Sequence, residues 1–311
     1  MKKTNALTEG AVLLALFAAA VFLTQSVPPL GVILVVVLPL PFIVYALKHD
    51  VKYTLVMLIA SIPVVFLTGT FNGLVLALPA GLMGAVMGTL YKKKGSMAAV
   101  AGGALSFVAS FLIGMAVSVF FFGFNPLEEM RALVDASFRR SFTMLESLGR
   151  GLSDKQQAMY FEQLEQAYSA LPFSIIAGGF MAALIQHKAA RVLLKRLRMT
   201  VPALKPFREW KLPASIGWYY LAVILLGYFR FEEGTFMHSA FINGFYLLTV
   251  LLIIQGLSFV FYYAHVKGKS KGIPVITVIA ALMIPFLLYP LQFLGIIDIG
   301  FKLRERIARN S

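Results

Sequence analysis

Nine apolar stretches decide what this chain can fold into: residues 8–24, 30–47, 54–67, 74–91, 97–122, 171–193, 215–228, 241–263 and 273–288. Their apolar residues come in blocks and do not alternate with polar ones, which excludes the two-residue period of a membrane β-barrel. In lipid, a stretch of this kind must satisfy its own backbone polar groups, and an α-helix does so. Charged residues make up 14% of the chain and hydrophobic ones 59%, with a mean hydropathy of +0.82. Soluble domains carry roughly 25% charged residues, so this chain has too few to cover a water-facing surface. The expected fold is all-α: a polytopic transmembrane helix bundle of about eight to nine spans, several shorter than ~20 residues and accommodated by tilt or by burial against neighbours.

The net charge of +14 is distributed as lipid requires, and nucleic acid is not the expected partner. Lys2 and Lys3, Lys48 and Lys52, Lys92 to Lys94, and Lys267, Lys269 and Lys271 fall on one side if the spans alternate. So does the dense segment Lys188, Arg191, Lys195, Arg196, Arg198, Lys205, Arg208 and Lys211. The opposite connections, 26–29, 68–72 and 231–237, hold no Lys or Arg. That asymmetry predicts a cell-membrane protein with a cytoplasmic N-terminus. Glu9 interrupts the start of the first apolar run and no small-x-small site follows it, so the run reads as an uncleaved helix.

The predicted organisation is a six-span region over 1–193, a basic cytoplasmic linker over 194–213 and a C-terminal membrane region over 214–311. Nine alternating spans would leave the C-terminus outside. Pro285 and Pro290 break the last apolar block and 291–299 continues it, so the chain is expected to turn back and end inside. Residues 125–170 form the predicted extracytoplasmic helical hairpin. Leu127, Met130, Val134, Phe138, Leu145 and Leu148 recur at helical spacing, Gly149 and Gly151 interrupt, and Ser153 with Gln156 fits a capping box. The hairpin carries seven acidic side chains (Glu128, Glu129, Asp135, Glu146, Asp154, Glu162, Glu165) against five basic ones, a local reversal of sign. It reads as a solvated face or as a lid.

Chemistry is sparse. There is no cysteine, hence no disulfide or thiolate metal site. No zinc-protease, hydrolase or phosphate-loop motif is present, so the chain is expected to be no enzyme, to bind no metal or cofactor and to drive no ATP hydrolysis itself. The four histidines, His49, His187, His238 and His265, sit near predicted span ends, where interfacial solvation accounts for them. Ionisable groups deep in the apolar blocks are few: Glu9, Asp298 and, at an outer end, Arg230 with Glu232 and Glu233. Uncharged polar residues are better placed. Gln25, Asn72 and Asn125 fall at outer connections and are the candidate ligand-lining residues, with Asn243 and Gln255 as further polar positions.

Small residues mark helix contacts. Gly81, Gly84 and Gly88 share one face of the fourth stretch, and Ala11, Ala15 and Ala19 share one face of the first. Such faces let backbones approach closely, either inside the bundle or against a partner's helix. Pro39, Pro41, Pro63 and Pro79 interrupt spans, each removing a backbone donor. Broken spans occur as simple kinks and as the lining of transporter sites.

Four motifs in order, T-E-G-A-V-L-L-A-L (8–16), L-P-L-P-F (38–42), F-R-E-W-K-L-P (207–213) and G-I-I-D-I-G-F-K-L-R (295–304), resemble the YybS-like family of bacterial multi-pass membrane proteins. The first six spans also look like the substrate-binding subunits of energy-coupling-factor transporters. That second resemblance implies docking of the Ala11, Ala15 and Ala19 face on a membrane coupling subunit that works with ATPases. It also implies an outer ligand near Gln25, Asn72 and Asn125. The outer hairpin and the C-terminal spans are departures from that pattern. Two functions follow as expectations: a small-solute-binding subunit of an energy-coupled transporter, or a non-transporting scaffold or regulator of envelope or signalling proteins.

Overall fold

The computed structural model describes residues 2–67, 71–229, 231–232, 234–301 and 303–309. Arg230, Glu233 and Lys302 lie outside the described residues, as does the side chain of Asn72. The described residues form α1 (Lys2–Ser26), α2 (Pro28–Val37), α3 (Leu40–Lys48), α4 (Val51–Leu67), α5 (Phe71–Lys94), α6 (Ser96–Phe122), α7 (Pro126–Ser147), α8 (Asp154–Ser169), α9 (Leu171–Arg196), α10 (Ser215–Leu226), α11 (Phe236–Val266), α12 (Gly272–Met283), α13 (Leu288–Phe301) and α14 (Leu303–Arg309). Among the described residues, six helical segments are long and apolar enough to cross a membrane, and four shorter apolar ones accompany them. Their outward surfaces are apolar: Leu67, Phe120 and Leu282 are 83%, 84% and 78% exposed, as lipid-facing side chains are. The protein is a polytopic α-helical membrane bundle.

The chain divides into two compact units: Met1–Phe161 with Ile175–Leu204, and Glu162–Ser174 with Lys205–Ser311. In the first, α5 packs against α6 and α3, and α1 against α2 and α4. The glycine face predicted on α5 is the contact with α3. A Cβ on Gly88 would stand 2.7 Å from the Ala46 Cβ, and one on Gly84 would overlap the carbonyl oxygen of Pro39. The second predicted span is two helices, because Pro39 and Pro41 interrupt the helical hydrogen bonds between α2 and α3. α1 buries Ala6, Phe17, Ala18 and Val21. Tyr45 donates from its hydroxyl to the Ala6 carbonyl (3.1 Å), and its ring fills the space beside Gly10.

The hairpin forms from α7 and α8. The Gln156 Oε1 accepts from the Ser153 N–H (2.9 Å) and Ser153 Oγ accepts from the Gln156 N–H (3.4 Å), a reciprocal cap. Phe142 is the buried anchor, ringed by Phe138, Tyr160 and Phe161. It replaces Met130 and Leu148 of the expected stripe, which are 37% and 64% exposed. The basic linker is only partly helical. α9 runs to Arg196, and Arg198 adopts φ +56°, so that the Met199 N–H closes on the Leu194 carbonyl at 2.9 Å. This left-handed stop ends the helix.

In the second unit α11 and α13 lie together. Gly256 and Gly295 form the contact: a Cβ on Gly256 would overlap the Leu291 carbonyl oxygen, and one on Gly295 the Leu252 carbonyl oxygen. Further along, Gln255 reaches Asp298 and Tyr262 reaches the Arg304 carbonyl. Numbers rise together on both helices, so α13 runs parallel to α11. The last apolar block is thus two half-length helices of 12 and 14 residues joined by a tight turn at Pro285–Leu287. At 1.5 Å per residue each spans about 20 Å, short of the ~30 Å hydrocarbon core. The expected turn-back is present, and the tail returns to the end of this unit that carries Lys267, Lys269 and Lys271.

Candidate functional site

Two polar features stand out within apolar surroundings, one in each unit. In the first unit a groove of about 410 Å³ opens among α2, the α2–α3 junction, α5, α6 and α9. Its walls are almost wholly apolar, including Val35, Leu38, Met83, Phe107 and Ile185. Gln186 is the exception: it lines the groove, is 2% exposed, and its Nε2 has no hydrogen-bond partner among the described residues. Pro39 and Pro79 line the same groove. Having no N–H, they leave the carbonyls of Val35 and Val75 without their usual helical donors, and both of these residues are in the wall. The residues of the wall therefore include one with an orphan donor and two whose carbonyls lack their usual helical donors, in a setting where an unmet polar group is costly.

Beside Gln186 on α9, His187 faces Tyr91, with 2.7 Å between the Tyr91 hydroxyl and His187 Nδ1. His187 is 4% exposed, so it is not solvated at an interface as expected. At the start of α1, Glu9 is held by Lys48 and by His49 Nε2, the latter at 3.0 Å.

The candidate residues from outer connections go elsewhere. Asn125 caps α7: its Oδ1 accepts from the Leu127 N–H (3.2 Å) and its Nδ2 donates to Glu128 (2.8 Å). Gln25 is half-buried near Gly73, its Nε2 donating to the Val21 carbonyl at 3.4 Å. Asn72 is in the first turn of α5, with its side chain outside the described residues. Neither Asn125 nor Gln25 lines the Gln186 groove. Gln186 was missed because a single amide inside an apolar stretch has no periodic signature, and only its neighbours in space show that it lacks a partner. Ala11, Ala15 and Ala19 are exposed within the first unit, because Phe17, Ala18 and Val21 occupy the inward side of α1.

The second unit holds a buried clasp. Asp298 and Arg304 pair at 2.8 Å, with side chains 0% and 9% exposed. Arg304 also donates to the Arg208 carbonyl (2.8 Å) and to Ser258 Oγ (3.1 Å), and stacks over the Tyr262 ring. Gln255 donates to Asp298 and accepts from the Leu212 N–H at 2.9 Å. Ser258 Oγ lies 2.8 Å from the carbonyls of Phe207 and of Trp210. Two of the motifs, 207–213 and 295–304, thus meet here: the second supplies the charges and the first the backbone they hold. Asn243 serves the α8–α9 junction in the same way, accepting from the Phe173 N–H (2.7 Å) and donating to the Ser169 carbonyl (2.8 Å).

Residues 15–299 match the family described as "Predicted membrane protein (DUF2232)". The chain is 36% identical, over 99% of its length and 100% of the relative's, to the protein named "Uncharacterized protein YybS" of Bacillus subtilis (strain 168). No solved structure matches.

Proposed function

The chain belongs to the DUF2232 family of predicted membrane proteins, and from that premise we propose that its first unit is a solute-binding membrane subunit that works with a separate, ATPase-driven coupling subunit. One observation carries the reading: Gln186 lines an apolar groove, and its Nε2 is buried without a partner among the described residues. A ligand oxygen there would complete the hydrogen bonding that the bundle leaves open. The groove selects a compact, largely apolar molecule with at least one carbonyl or ether oxygen. The exposed Ala11, Ala15 and Ala19 face supports a docking role, since close packing of a partner's helix needs such small side chains. The cell membrane is its location, with the lysine-rich connections in the cytoplasm.

A non-transporting scaffold is the second reading. It is favoured by the use of Asn125 as a helix cap, which leaves fewer polar groups for an outer ligand. Affinity purification of the full chain from native membranes, with proteomics and metabolite extraction, separates the two. The first reading expects a coupling subunit, ATPases and a bound apolar metabolite, with the metabolite lost in Gln186→Leu. A partner protein with no metabolite supports the scaffold, and recovery of neither rejects both.

A further inference from the structure

A second pocket, of about 480 Å³, lies between the end of α11, the start of α12 and residues 206–208. Its floor is apolar, built from Phe207, Phe261, Ala264 and Pro274, and its rim carries Arg208, His265, Lys269 and Lys271 without a carboxylate. Among the described residues none of these four enters an ion pair. The acids nearby are committed elsewhere or stand apart: Glu305 pairs with Lys211 at 3.3 Å, Asp298 pairs with Arg304, and Glu209 is exposed outside the lining. Three permanent cations gathered on one rim repel one another, and the start of α12 adds the positive end of its dipole. An anion relieves both.

The geometry also says how the anion is held. In the first turn of α12 the N–H groups of Gly272 and Ile273 already donate to Ser270, each at 3.2 Å, and Pro274 has none. Side chains, not helix amides, must make the contact. The clasp fixes the wall that presents Arg208, because Ser258 and Arg304 hold the Phe207 and Arg208 carbonyls. A soluble anion would use the rim and leave the floor idle. The floor continues onto Val275, Ile276 and Ile279 of α12, which are 47%, 65% and 52% exposed, an apolar track that suits an acyl chain. We propose that this pocket binds an anionic phospholipid, its phosphate on Lys269, Lys271 and Arg208 and its chain along α12. Basic pockets beside membrane helices suit such headgroups.

The test uses purified full-length protein, delipidated in detergent and titrated with phosphatidylglycerol or phosphatidylcholine, with bound lipid counted by native mass spectrometry. Phosphatidylglycerol should bind more tightly. Lys269→Gln with Lys271→Gln should weaken it roughly 30-fold, from the loss of two lysines beside an anionic group, with phosphatidylcholine binding unchanged. Lys92→Gln with Lys93→Gln, an equal charge loss in the first unit, should have no effect. Arg208→Gln supplies an independent variant should the double lysine variant lower the melting temperature. Equal binding of the two lipids, an unaffected double lysine variant, or a matching loss in the Lys92 and Lys93 variant would each overturn the proposal. Displacement by millimolar inorganic phosphate would assign the pocket to a soluble anion and overturn the lipid.

Discussion

Gly256 of α11 and Gly295 of α13 cross so closely that a Cβ on either would meet backbone of the other helix, 3.2 Å from the Gly295 nitrogen in one case and 3.1 Å from the Gly256 nitrogen in the other. No side chain can yield there, because what stands in the way is main chain. Weak Cα–H to carbonyl contacts and dispersion hold such a crossing in lipid, where apolar burial adds little. The clasp sits on the same pair of helices, so the crossing also sets the distance from Gln255 to Asp298.

Gly256→Ala or Gly295→Ala should therefore lower the melting temperature of the purified protein, with a cost of about 1–3 kcal/mol from overpacking. Gly114→Ala is the control. A Cβ there meets nothing within 4 Å, and the gain in helix propensity should leave stability equal or up to about 1 kcal/mol higher. Equal effects at the three positions would contradict the crossing.

Arg304→Met strands the Asp298 carboxylate, whose Oδ1 already has no partner among the described residues. Removing one member of a buried pair costs about 3–5 kcal/mol. Combining Arg304→Met with Asp298→Leu removes both charges and should recover a substantial part of that loss. A double-mutant cycle by thermal unfolding in detergent reads this directly. Simple additivity of the two single losses would show that the pair is not coupled.

Gln186→Leu removes a buried amide with an unmet donor from an apolar wall. The apo protein should become more stable by about 1–3 kcal/mol, while binding in the groove is lost. Gain of stability with loss of ligand is the mark of a site, and a simple core residue would not show it. A destabilised variant would mean that Gln186 is already satisfied.

Ala15→Leu places a larger side chain on an exposed face of α1 and fills no internal space. The melting temperature of the isolated protein should change by less than about 0.5 kcal/mol equivalent. Recovery of any partner that docks there should fall sharply in pull-downs from native membranes. Full recovery of that partner would remove the docking role from this face.

Much of the architecture was legible because lipid imposes a simple rule on sequence. The apolar blocks became the spans, the Ser153–Gln156 cap formed, Gly84 and Gly88 took up α3, and the prolines at 285 and 290 accompany the turn-back of the last block. Each of these depends on residues near one another in sequence, or on one face of one helix. What the alanine face of α1 does was left open, because a small-residue stripe looks the same whether it faces the bundle or lipid. Only the placement of Phe17, Ala18 and Val21 decided which side of α1 turned inward.

The sequence by itself determined that the chain is a helical membrane protein, since long apolar runs have one way to satisfy their backbones without water. Tertiary structure alone decided the groove, the basic pocket and the clasp. Gln186 becomes an orphan donor because α2, α5 and α6 surround it with apolar side chains. Arg208, Lys269 and Lys271 become one rim because the Asp298–Arg304 pair draws the 207–213 segment onto α11. Partnership between groups tens of residues apart is a property of distance in space, and no local pattern encodes it.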